Sequence, residues 1–480
     1  MFHNRATHAT TPARETALEC LEAGIRATVP ERVVPDTVSL EDERLSIDGS
    51  AYDLSGVDRV IVIGGGKAST GVARALESIL EPALADGRID ALEGAVVSRS
   101  TGETSPVQTS HVQVLEGDHP IPSQRNREAT ASVLEYAADA ASADLVLATI
   151  TGGASALLTA PAADISVEAL RETTDALLES GASIDEINAV RKHCSTIKGG
   201  HLARTAAPAR VVTLAISDVV GDDPSVIGSG PTVADPSTFS DALAVCRRYG
   251  LAETLPDSIR RRLESGANGD LEETPDPDDP AVAAADWHCL AGTRTAIDAA
   301  EAVARERGYR TLVLSSRFRG EAADVGSVHA AIVEEMLVRG DPVEPPAVVL
   351  SGGEVTVTVR DASRAAADGD AGGGEGVHPA GVGGPNQELA LASALEFAQS
   401  GVDSAVLASI DTDGIDGPTE ACGAIVDGGT LPDSEAVDAG RNALDAHAVT
   451  SFLEELDSIL ETGPTGTNVN DLRVVVVDPS

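Results

Sequence analysis

Cysteine, aromatic residues and long apolar runs are scarce in this 480-residue chain, and each scarcity excludes a class of protein. The five cysteines are scattered, odd in number and never spaced as Cys-x-x-Cys, so neither a disulfide framework nor a zinc site is expected. Aromatic residues make up only 2% of the chain, which argues against a platform that stacks nucleic-acid bases. No apolar run is long enough to span a bilayer, and the polar N-terminus lacks the apolar segment of a signal peptide. We therefore expect a soluble cytoplasmic protein.

Positive charge is scarce as well. The formal net charge is -43 at pH 7, which excludes a basic nucleic-acid surface and disfavours binding to anionic membranes. Self-repulsion of this size destabilises a compact state in dilute buffer, and halophilic proteins are one class that tolerates it. Because molar salt shortens the Debye length to about 3 Å, the charge indicates a protein from a salt-loving host.

Lysine is the rarest charged residue. Only Lys67, Lys192 and Lys198 occur among the 34 basic residues, and the others are arginine. Three lysines distributed by chance would fall mostly on exposed helix faces, yet these lie in glycine-rich or strongly polar stretches. We therefore predict that the segments carrying the three lysines are functional.

The length of the chain predicts two domains, each large enough to bury its own core. In the first half, short apolar runs alternate with helical segments, which indicates a parallel, doubly wound α/β sheet. The predicted strands are Val60–Ile63, Ala95–Val97, Val112–Leu115, Leu145–Ile150 and Arg210–Ile216.

A second, smaller α/β series is predicted to begin with a strand near His288–Ala291 and to end with Leu472–Val477. The stretch Leu251–Pro280 is rich in proline, aspartate and glycine, so it is the predicted connection. The resulting domains span residues 1–275 and 281–480. A further strand is predicted at Val355–Val359, followed by a low-complexity surface insertion over Asp361–Pro379.

Two glycine turns follow predicted strands. The first, GGGKAS, contains Gly65, Gly66 and Lys67 and precedes a helix, so its amides and the helix dipole are suited to an anion. It is neither a P-loop nor a complete dinucleotide fingerprint, because Ser69 occupies the third glycine's position. The second turn, TGGASAL, contains Ser155 and offers backbone amides to an oxyanion, but it lacks the second glycine of a nucleophile elbow.

A cationic helix face is predicted between these turns and the acidic loops. The residues Asn188, Arg191, Ser195 and Lys198 follow one another at spacings of three and four, which places them on one side of a helix. An amide, two cations and a hydroxyl do not form a core stripe. In so acidic a protein, this face predicts an anionic ligand.

Acidic, glycine-rich loops follow two other strands. The stretch Ser217–Pro231 carries Asp218 and Asp222 at the carboxyl end of a strand, where open α/β sheets bind their ligands. In the second series, Asp413 and Asp416 lie in a loop that lacks the glutamate of an EF-hand, so it could aim carboxylates at a cation or a hydroxyl. Such parts suit phosphoryl transfer.

A single histidine, His119, lies in the segment GDHPIPS. It could be a ligand or a base, but a histidine beside two prolines is also typical of a rigid turn. The sequence leaves these alternatives open.

Nine segments, in order along nearly the whole chain, resemble one family. They are GGGKAS at 64–69, GDHPIPS at 117–123, TGGASALL at 151–158, INAVRKHCSTIKGGHLA at 187–203, SDVVGDDPSVIGSGPT at 217–232, SGGEVTVTV at 351–359, GGPNQELALA at 383–392, DTDGIDGPTEACGAIVD at 411–427 and TGPTGTNVNDL at 462–472. The chain resembles the glycerate 2-kinases of the two-domain type, whose C-terminal part is the MOFRL domain.

The resemblance implies an enzyme that phosphorylates D-glycerate at the 2-hydroxyl with ATP and magnesium. It also implies a Rossmann-like N-terminal domain, a smaller α/β C-terminal domain and an active site in the cleft between them. The family pattern makes Lys67 the main catalytic cation. The side chains that would line the substrate and phosphate pocket are those of Ser155, Asn188, Arg191 and Lys198. The implied partners are glycerate and a nucleotide, and a homodimer stays open.

The family pattern further makes Asp218 and Asp222 the candidates for binding magnesium or orienting the hydroxyl. From the second domain, Asn386, Asp413 and Asp416 are the expected contributors to the site. Within the motif that the family usually writes GGRNQE, this chain has Pro385 in place of an arginine counted as catalytic.

Because proline donates no hydrogen bond, another arginine must substitute or activity is altered. Arg317 and Arg319 are the candidates to substitute. Two alternatives to the kinase follow: a hydroxypyruvate reductase, or a nucleotide- or glycerate-binding homologue whose catalysis is weakened.

Overall fold

A computed structural model describes residues 1–3, 5–99, 109–358 and 382–479. These residues form two compact units. We call Val29–Ala291 the N-terminal unit, and Gly292–Ser480 together with Met1–Thr28 the C-terminal unit. The predicted insertion at Asp361–Pro379 lies outside the described residues. None of the described helices combines the length and apolarity that crossing a bilayer requires.

The chain begins with two helices that belong to the C-terminal unit, α1 (Arg5–His8) and α2 (Pro12–Thr28). The N-terminal unit then follows. Its strands are β1 (Val38–Glu41), β2 (Arg44–Ile47), β3 (Ser50–Asp53), β4 (Arg59–Gly65), β5 (Ala91–Arg99), β6 (Val112–Gly117), β7 (Leu145–Thr151), β8 (Arg210–Ile216) and β9 (Asp286–Ala291). Its helices are α3 (Pro30–Thr37), α4 (Ser69–Ala85), α5 (Gln124–Asp139), α6 (Ala154–Leu157), α7 (Val167–Glu179), α8 (Ile184–His193), α9 (His201–Ala206), α10 (Phe239–Arg248), α11 (Asp257–Ala267) and α12 (Pro280–Ala283).

The main sheet of the N-terminal unit has the strand order β6-β5-β4-β7-β8-β9, and every neighbouring pair is parallel. All seven residues of β7 are buried, as expected for a parallel sheet that is covered on both faces. The predicted parallel sheet is confirmed. The strands β1, β2 and β3 form a separate small antiparallel sheet that the sequence did not predict.

The boundary between the two units differs from the predicted one. The strand near His288–Ala291, expected to open the second domain, is β9 and pairs with β8 in the first sheet. The predicted connection Leu251–Pro280 contains α11, whose Ile259 and Leu263 are fully buried in an apolar cluster of the N-terminal unit. Composition suggested a linker because most residues of this stretch are polar, and only a few residues of α11 face the core.

The helix α2 packs within the C-terminal unit although it precedes the N-terminal unit in the chain. Its face formed by Leu18, Leu21 and Ile25 is fully buried. A Cβ atom at Gly24 would lie 2.4 Å from a side-chain carbon of Leu472, so the absence of a side chain allows α2 to approach the last strand of the chain.

The C-terminal unit is a mixed sheet with helices. Its strands are β10 (Arg310–Phe318), β11 (Ala347–Gly353), β12 (Ala405–Asp411), β13 (Gly423–Asp427), β14 (Ile459–Leu460) and β15 (Asp471–Val477). Its further helices are α13 (Thr293–Glu306), α14 (Ala322–Arg339), α15 (Pro385–Ser400), α16 (Ser434–Asp445) and α17 (Val449–Glu455).

The strand order in this sheet is β10-β11-β15-β12-β13-β14, with β10 and β11 parallel and the other pairs antiparallel. The separate α/β unit predicted from the sequence is confirmed. The strand predicted at Val355–Val359 is not confirmed, because the described part of that segment makes only one isolated β-bridge, from Thr356 to Glu321.

Candidate active site

The glycine turn after β4 is fastened to the turn after β7. At Gly66, φ is +136° and a Cβ atom would lie 2.1 Å from the hydroxyl oxygen of Thr151, so only glycine fits. The amide of Lys67 donates to the carbonyl of Gly152 at 2.8 Å, and the amide of Ala68 donates to the Thr151 hydroxyl at 3.1 Å. These amides were predicted to face an anion, but they form hydrogen bonds within the two turns. The candidate anion contact of the first turn is therefore the Lys67 side chain.

The neighbouring amides are also used internally. The amide of Gly66 donates to Val97 and that of Ser69 donates to Gly66, at 3.0 and 3.3 Å. Gly65 lies in β4 and pairs with neighbouring strands on both sides. The two glycines thus shape the turn, because a side chain at either would collide with adjacent elements.

Three polar side chains from three strand ends converge on Gly153, in the turn after β7. A Cβ atom at Gly153 would lie 3.0 Å from Cδ2 and Nε2 of His119 and 3.3 Å from Cγ of Lys67. The amide of Gly153 donates to Oδ2 of Asp218 at 3.2 Å. This cluster lies at the carboxyl edge of a parallel sheet, where α/β proteins bind ligands.

The far side of the same turn carries a chain of hydroxyl and amide groups. The Ser155 and Ser229 hydroxyl oxygens are 3.0 Å apart, and Ser229 donates to Oδ1 of Asn188 at 3.0 Å. Since the Ser229 proton is given to Asn188, Ser155 is the donor to Ser229. The sequence did not single out Ser229. It lies in the loop Ser217–Pro231, with φ of +63° between two glycines, and the only available signal was that glycine pattern.

Lys198 is a buried cation beside this chain. Its Nζ donates to the carbonyl oxygens of Ser155 and Leu158, at 2.7 and 3.1 Å. Burial, and secondly the nearby Arg191 guanidinium, lower the pKa of Lys198 to about 7. Burial also lowers the pKa of Arg191. Across the described parts of the chain, neither cation forms an ion pair with a carboxylate, so an anionic ligand would meet two uncompensated cations here.

The predicted single helix face is wrong in one respect. Helix α8 ends at His193, so Asn188 and Arg191 share it, but Ser195 and Lys198 lie in the turn beyond. The hydroxyl of Ser195 donates to the carbonyl of Ala160 at 3.2 Å and shapes that turn. Arg191 still lies close enough for its charge to lower the pKa of Lys198.

Lys192 has a structural contact, so its own side chain is used inside the N-terminal unit. Its Nζ lies 3.2 Å from Oδ1 of Asp235, and both side chains are buried. A buried cation with a buried counter-charge satisfies its own electrostatics. Lys192 therefore differs from Lys198, which has no such partner in the described structure.

The loop after β8 separates the two predicted acidic site residues. Asp218 faces Gly153, whereas the charge of Asp222 contributes, after burial, to raising the pKa of the Cys289 thiol to about 12. Asp222 adopts φ of +57°, a conformation that aspartate tolerates in turns. In the part of the chain that is described, no three acidic, histidine or cysteine side chains gather as a metal-binding group.

In the C-terminal unit, Asp416 closes the start of α15. Its carboxylate accepts from the backbone amides of Asn386 and Gln387, both at 3.0 Å, and from both of their side-chain amides. Pro385, which precedes Asn386, is the first residue of the helix. An amide at this position would have no partner within the helix, so its absence in proline costs nothing. Burial, opposed by these hydrogen bonds and reinforced by the charge of Asp471, raises the pKa of Asp416 to about 6.

A buried ion pair adjoins this helix start. Asn386 also donates to Oδ1 of Asp471 at 2.7 Å, and Oδ2 of Asp471 pairs with the guanidinium of Arg473. Arg473 is fully buried, and its Nε and Nη1 find no hydrogen-bond partner among the described residues. The sequence reasoning missed both Asp471 and Arg473, which look like members of an ordinary closing strand.

The side chains of Asn386 and Asp416 are 1% exposed, so the contacts seen for these two predicted site residues are internal to the unit. Asp413 is half-buried, and its carboxylate accepts from the amide of Ile415 at 2.8 Å. Arg317 and Arg319 flank Phe318 on β10. Phe318 pairs with Gly353 of β11, and Gly353 in turn pairs with Asp471 of β15.

Comparison with known proteins identifies relatives over nearly the whole chain. Residues 16–264 match a domain of unknown function (DUF4147), and residues 347–471 match the MOFRL family. A glycerate 2-kinase from Pyrococcus horikoshii is 38% identical, with 97% of each chain covered. A relative from Agrobacterium vitis, whose name proposes a hydroxypyruvate reductase, is 40% identical, with 87% of each chain covered.

The solved structures agree with this result. The crystal structure of glycerate kinase from Thermotoga maritima matches with a TM-score of 0.78 and 33% identity, covering 96% of this chain and 99% of the other. Both units have counterparts in that protein, given the extent of the match. The match to a DUF4147 domain adds to what the sequence motifs indicated. The chain therefore belongs to the glycerate kinase family with a MOFRL domain, as those motifs predicted.

Proposed function

We propose that this protein is a D-glycerate 2-kinase, which transfers the terminal phosphoryl group of ATP to the 2-hydroxyl of D-glycerate. The observation that carries the proposal is the turn Gly152–Ser155 at the carboxyl end of β7. One end of this turn meets Lys67, His119 and Asp218, and the other meets Lys198. Cations and a carboxylate thus border one short segment, as the transfer of a phosphoryl group between two anionic substrates requires.

Lys67 is the cation that we assign to the transferring phosphoryl group. Its backbone is held by Gly152, so the base of the side chain has a fixed position beside Gly153. In phosphoryl transfer there is little covalent chemistry for the protein to perform, and catalysis consists mainly of positioning and charge stabilisation. A fixed ammonium group supplies both.

Arg191 and Lys198 are assigned to anion binding. Neither has a carboxylate partner in the described structure, and burial makes each charge costly until an anion compensates it. Ser155 and Asn188, joined through Ser229, would orient polar groups of the substrate beside these cations. We assign this side of the turn to the carboxylate of glycerate.

Asp218 is the first candidate to hold magnesium, and Asp222 is the second. Magnesium binds through one or two carboxylates together with phosphate oxygens and water, so Asp218 fits it without a complete protein cage. The remaining ligands would come from ATP, because the described residues form no cluster of three ligands. When bound, the ion neutralises charge on the phosphate oxygens.

Pro385 means that the family's arginine cannot contribute from its usual position. We infer that the rate is reduced unless Arg317 or Arg319 substitutes for it. A lost transition-state cation can lower the rate by about 10³-fold or more.

The test is an ATP-dependent assay on D-glycerate with magnesium in molar KCl, with the two phosphoglycerate isomers resolved. We expect 2-phosphoglycerate from the wild type and a loss of kcat of about 10³-fold in Lys67→Met, because the transferring group loses its cation. Arg74→Ala is the matched control, since Arg74 pairs with Glu31 on the exposed side of α4 and should leave kcat unchanged.

Two other results would contradict the proposal. Oxidation of NADH by hydroxypyruvate in the absence of ATP would favour a reductase. Binding of glycerate and ATP without turnover would favour a binding homologue, and restoring turnover with Pro385→Arg would trace that loss to the missing arginine.

A further inference from the structure

His119 lies at the kinase site although the sequence left its role open. Its Nε2 and Cδ2 would be 3.0 Å from a Cβ atom at Gly153, on the side where Cγ of Lys67 lies at 3.3 Å. The imidazole edge that carries Nε2 therefore faces the turn that we assign to phosphoryl transfer. The same turn donates its Gly153 amide to Asp218.

The loop that carries His119 is anchored by a fully buried side chain, Asn126. Its Oδ1 accepts from the amide of Asp118 at 2.9 Å, and its Nδ2 donates to the carbonyl of Asp118 at 2.9 Å. The same Nδ2 donates to the carbonyl of Ala156 at 3.0 Å, in the short helix after the Gly153 turn. One buried amide thus fixes the residue before His119 and also fastens its loop to the site.

The second support of this loop is the N-terminus of α5. Ser123 caps the helix, and its hydroxyl donates to the Asp118 carboxylate. Arg125 lies 3.7 Å from the other carboxylate oxygen of Asp118. A turn that needed only rigidity would be served by its prolines, whereas these bonds determine where the imidazole points.

We propose that His119 is the general base that removes the proton from the 2-hydroxyl of D-glycerate. This inference rests on the kinase function proposed above. The hydroxyl proton moves to Nε2 of the neutral imidazole while the hydroxyl oxygen forms its bond to the terminal phosphorus. The bond between that phosphorus and the bridging oxygen breaks, and ADP leaves with the electron pair. The imidazolium then returns its proton to water.

Histidine suits this step better than the neighbouring carboxylate. A base works best when its pKa is close to the working pH, and histidine ordinarily titrates near pH 6.5 against about 3.9 for aspartate. The Lys67 side chain approaches Gly153 beside His119, Asp118 precedes His119 in the chain, and Arg125, in the first turn of α5, pairs with Asp118.

The experiment compares His119→Ala and His119→Gln with the wild type in the glycerate assay between pH 5 and 9. We expect kcat to fall by about 10²- to 10⁴-fold in both variants, with the affinity for ATP unchanged. The acidic limb of the kcat/KM profile should disappear, and added imidazole should restore turnover to His119→Ala. His111→Ala is the matched control. His111 precedes β6, and its side chain contacts Glu81 of α4, not the Gly153 turn.

The outcomes separate this inference from the proposed function. An inactive wild type counts against the kinase itself. An active wild type with an equally active His119→Gln overturns only the role of His119. The same conclusion follows if the variants fold and bind ATP but show neither rescue by imidazole nor a changed acidic limb, since a structural role alone would then explain the loss.

Discussion

At the scale of single residues, burial decides what the charged side chains do. Lys192 and Lys198 are separated by six positions, and both are buried. Lys192 meets Asp235, whereas Lys198 meets two carbonyl oxygens and the electrostatic field of Arg191. The first lysine is a structural ion pair, and the second is a candidate binding group whose charge depends on pH near neutrality.

The first prediction concerns the pH dependence of glycerate binding. The pKa of Lys198 is lowered to about 7, so its side chain is charged below pH 7 and loses its charge as the pH rises through that value. Because an anion binds the charged form, we expect the dissociation constant of D-glycerate to rise up to about tenfold per pH unit above 7. Titration calorimetry between pH 6 and 8.5 measures this change directly.

Lys198→Arg is the conservative comparison, because arginine keeps its charge throughout this range. It should flatten the pH dependence if the variant still binds. The carboxylate of glycerate is already ionised at these pH values, so the ligand adds no titration of its own. Wild-type affinity that stays constant from pH 6 to 8.5 would show that Lys198 does not meet the anion.

At the scale of elements, the site depends on how turns after neighbouring strands are joined. The strands β4 and β7 are adjacent and parallel, so their carboxyl ends bring the Gly66 and Gly153 turns together. The hydroxyl of Thr151 accepts a hydrogen bond from the amide of Ala68. The same hydroxyl fills the space that a side chain at Gly66 would occupy. The position of Lys67 follows from this fastening.

A glycine substitution tests that fastening. In Gly66→Ala the added carbon would lie 2.5 Å from the carbonyl oxygen of Thr151 at a φ of +136°. Strain and overpacking together should lower the free energy of unfolding by about 3 kcal/mol or more. Gly87→Ala also has a positive φ but meets no atom within 4 Å, so it should cost about 1 kcal/mol. Urea unfolding of the two variants measures the difference, and equal losses would mean that the turn relaxes freely.

At the scale of the whole molecule, the order of the chain and the order of the units differ. The helix α2 belongs with the strand that closes the chain, and β9 completes the sheet of the other unit. Cutting at the boundary predicted from composition would therefore remove β9 and expose the apolar face of α2. The net charge of -43 is also a property of the whole molecule, and its self-repulsion disfavours the compact state. The salt requirement that this charge indicates stays a prediction.

Fragments of the chain test this division. Residues 29–291 should unfold cooperatively, because the fragment keeps all six strands of its parallel sheet. The fragment 1–275 should be less stable, since it lacks β9 and leaves Leu18, Leu21 and Ile25 without their packing partners. Thermal unfolding in molar KCl compares them. A higher Tm for the fragment 1–275 would contradict the boundaries seen here.

Much of the fold and part of the candidate site were predictable from local sequence. Apolar strands followed by glycine turns indicated β4 and β7 correctly, because short-range hydrophobic pattern and turn chemistry encode such units. The grouping of Asn188, Arg191 and Lys198 was also anticipated, although the helix ends before the last of these. The bond from Ser229 to Asn188 joins residues 41 positions apart, and no local pattern announces it.

The class of fold, the family and the segments with polar side chains at strand ends could all be inferred from the amino-acid sequence. Three features became visible only in the folded chain: β9 belongs to the first sheet, Lys192 is neutralised by Asp235, and His119 faces the same turn as Lys67. Periodicity and turn propensity act over a few residues, so they can be read along the chain. Strand partners, ion pairs and shared cavities depend on which distant segments pack together, and that is settled by the burial of the whole unit.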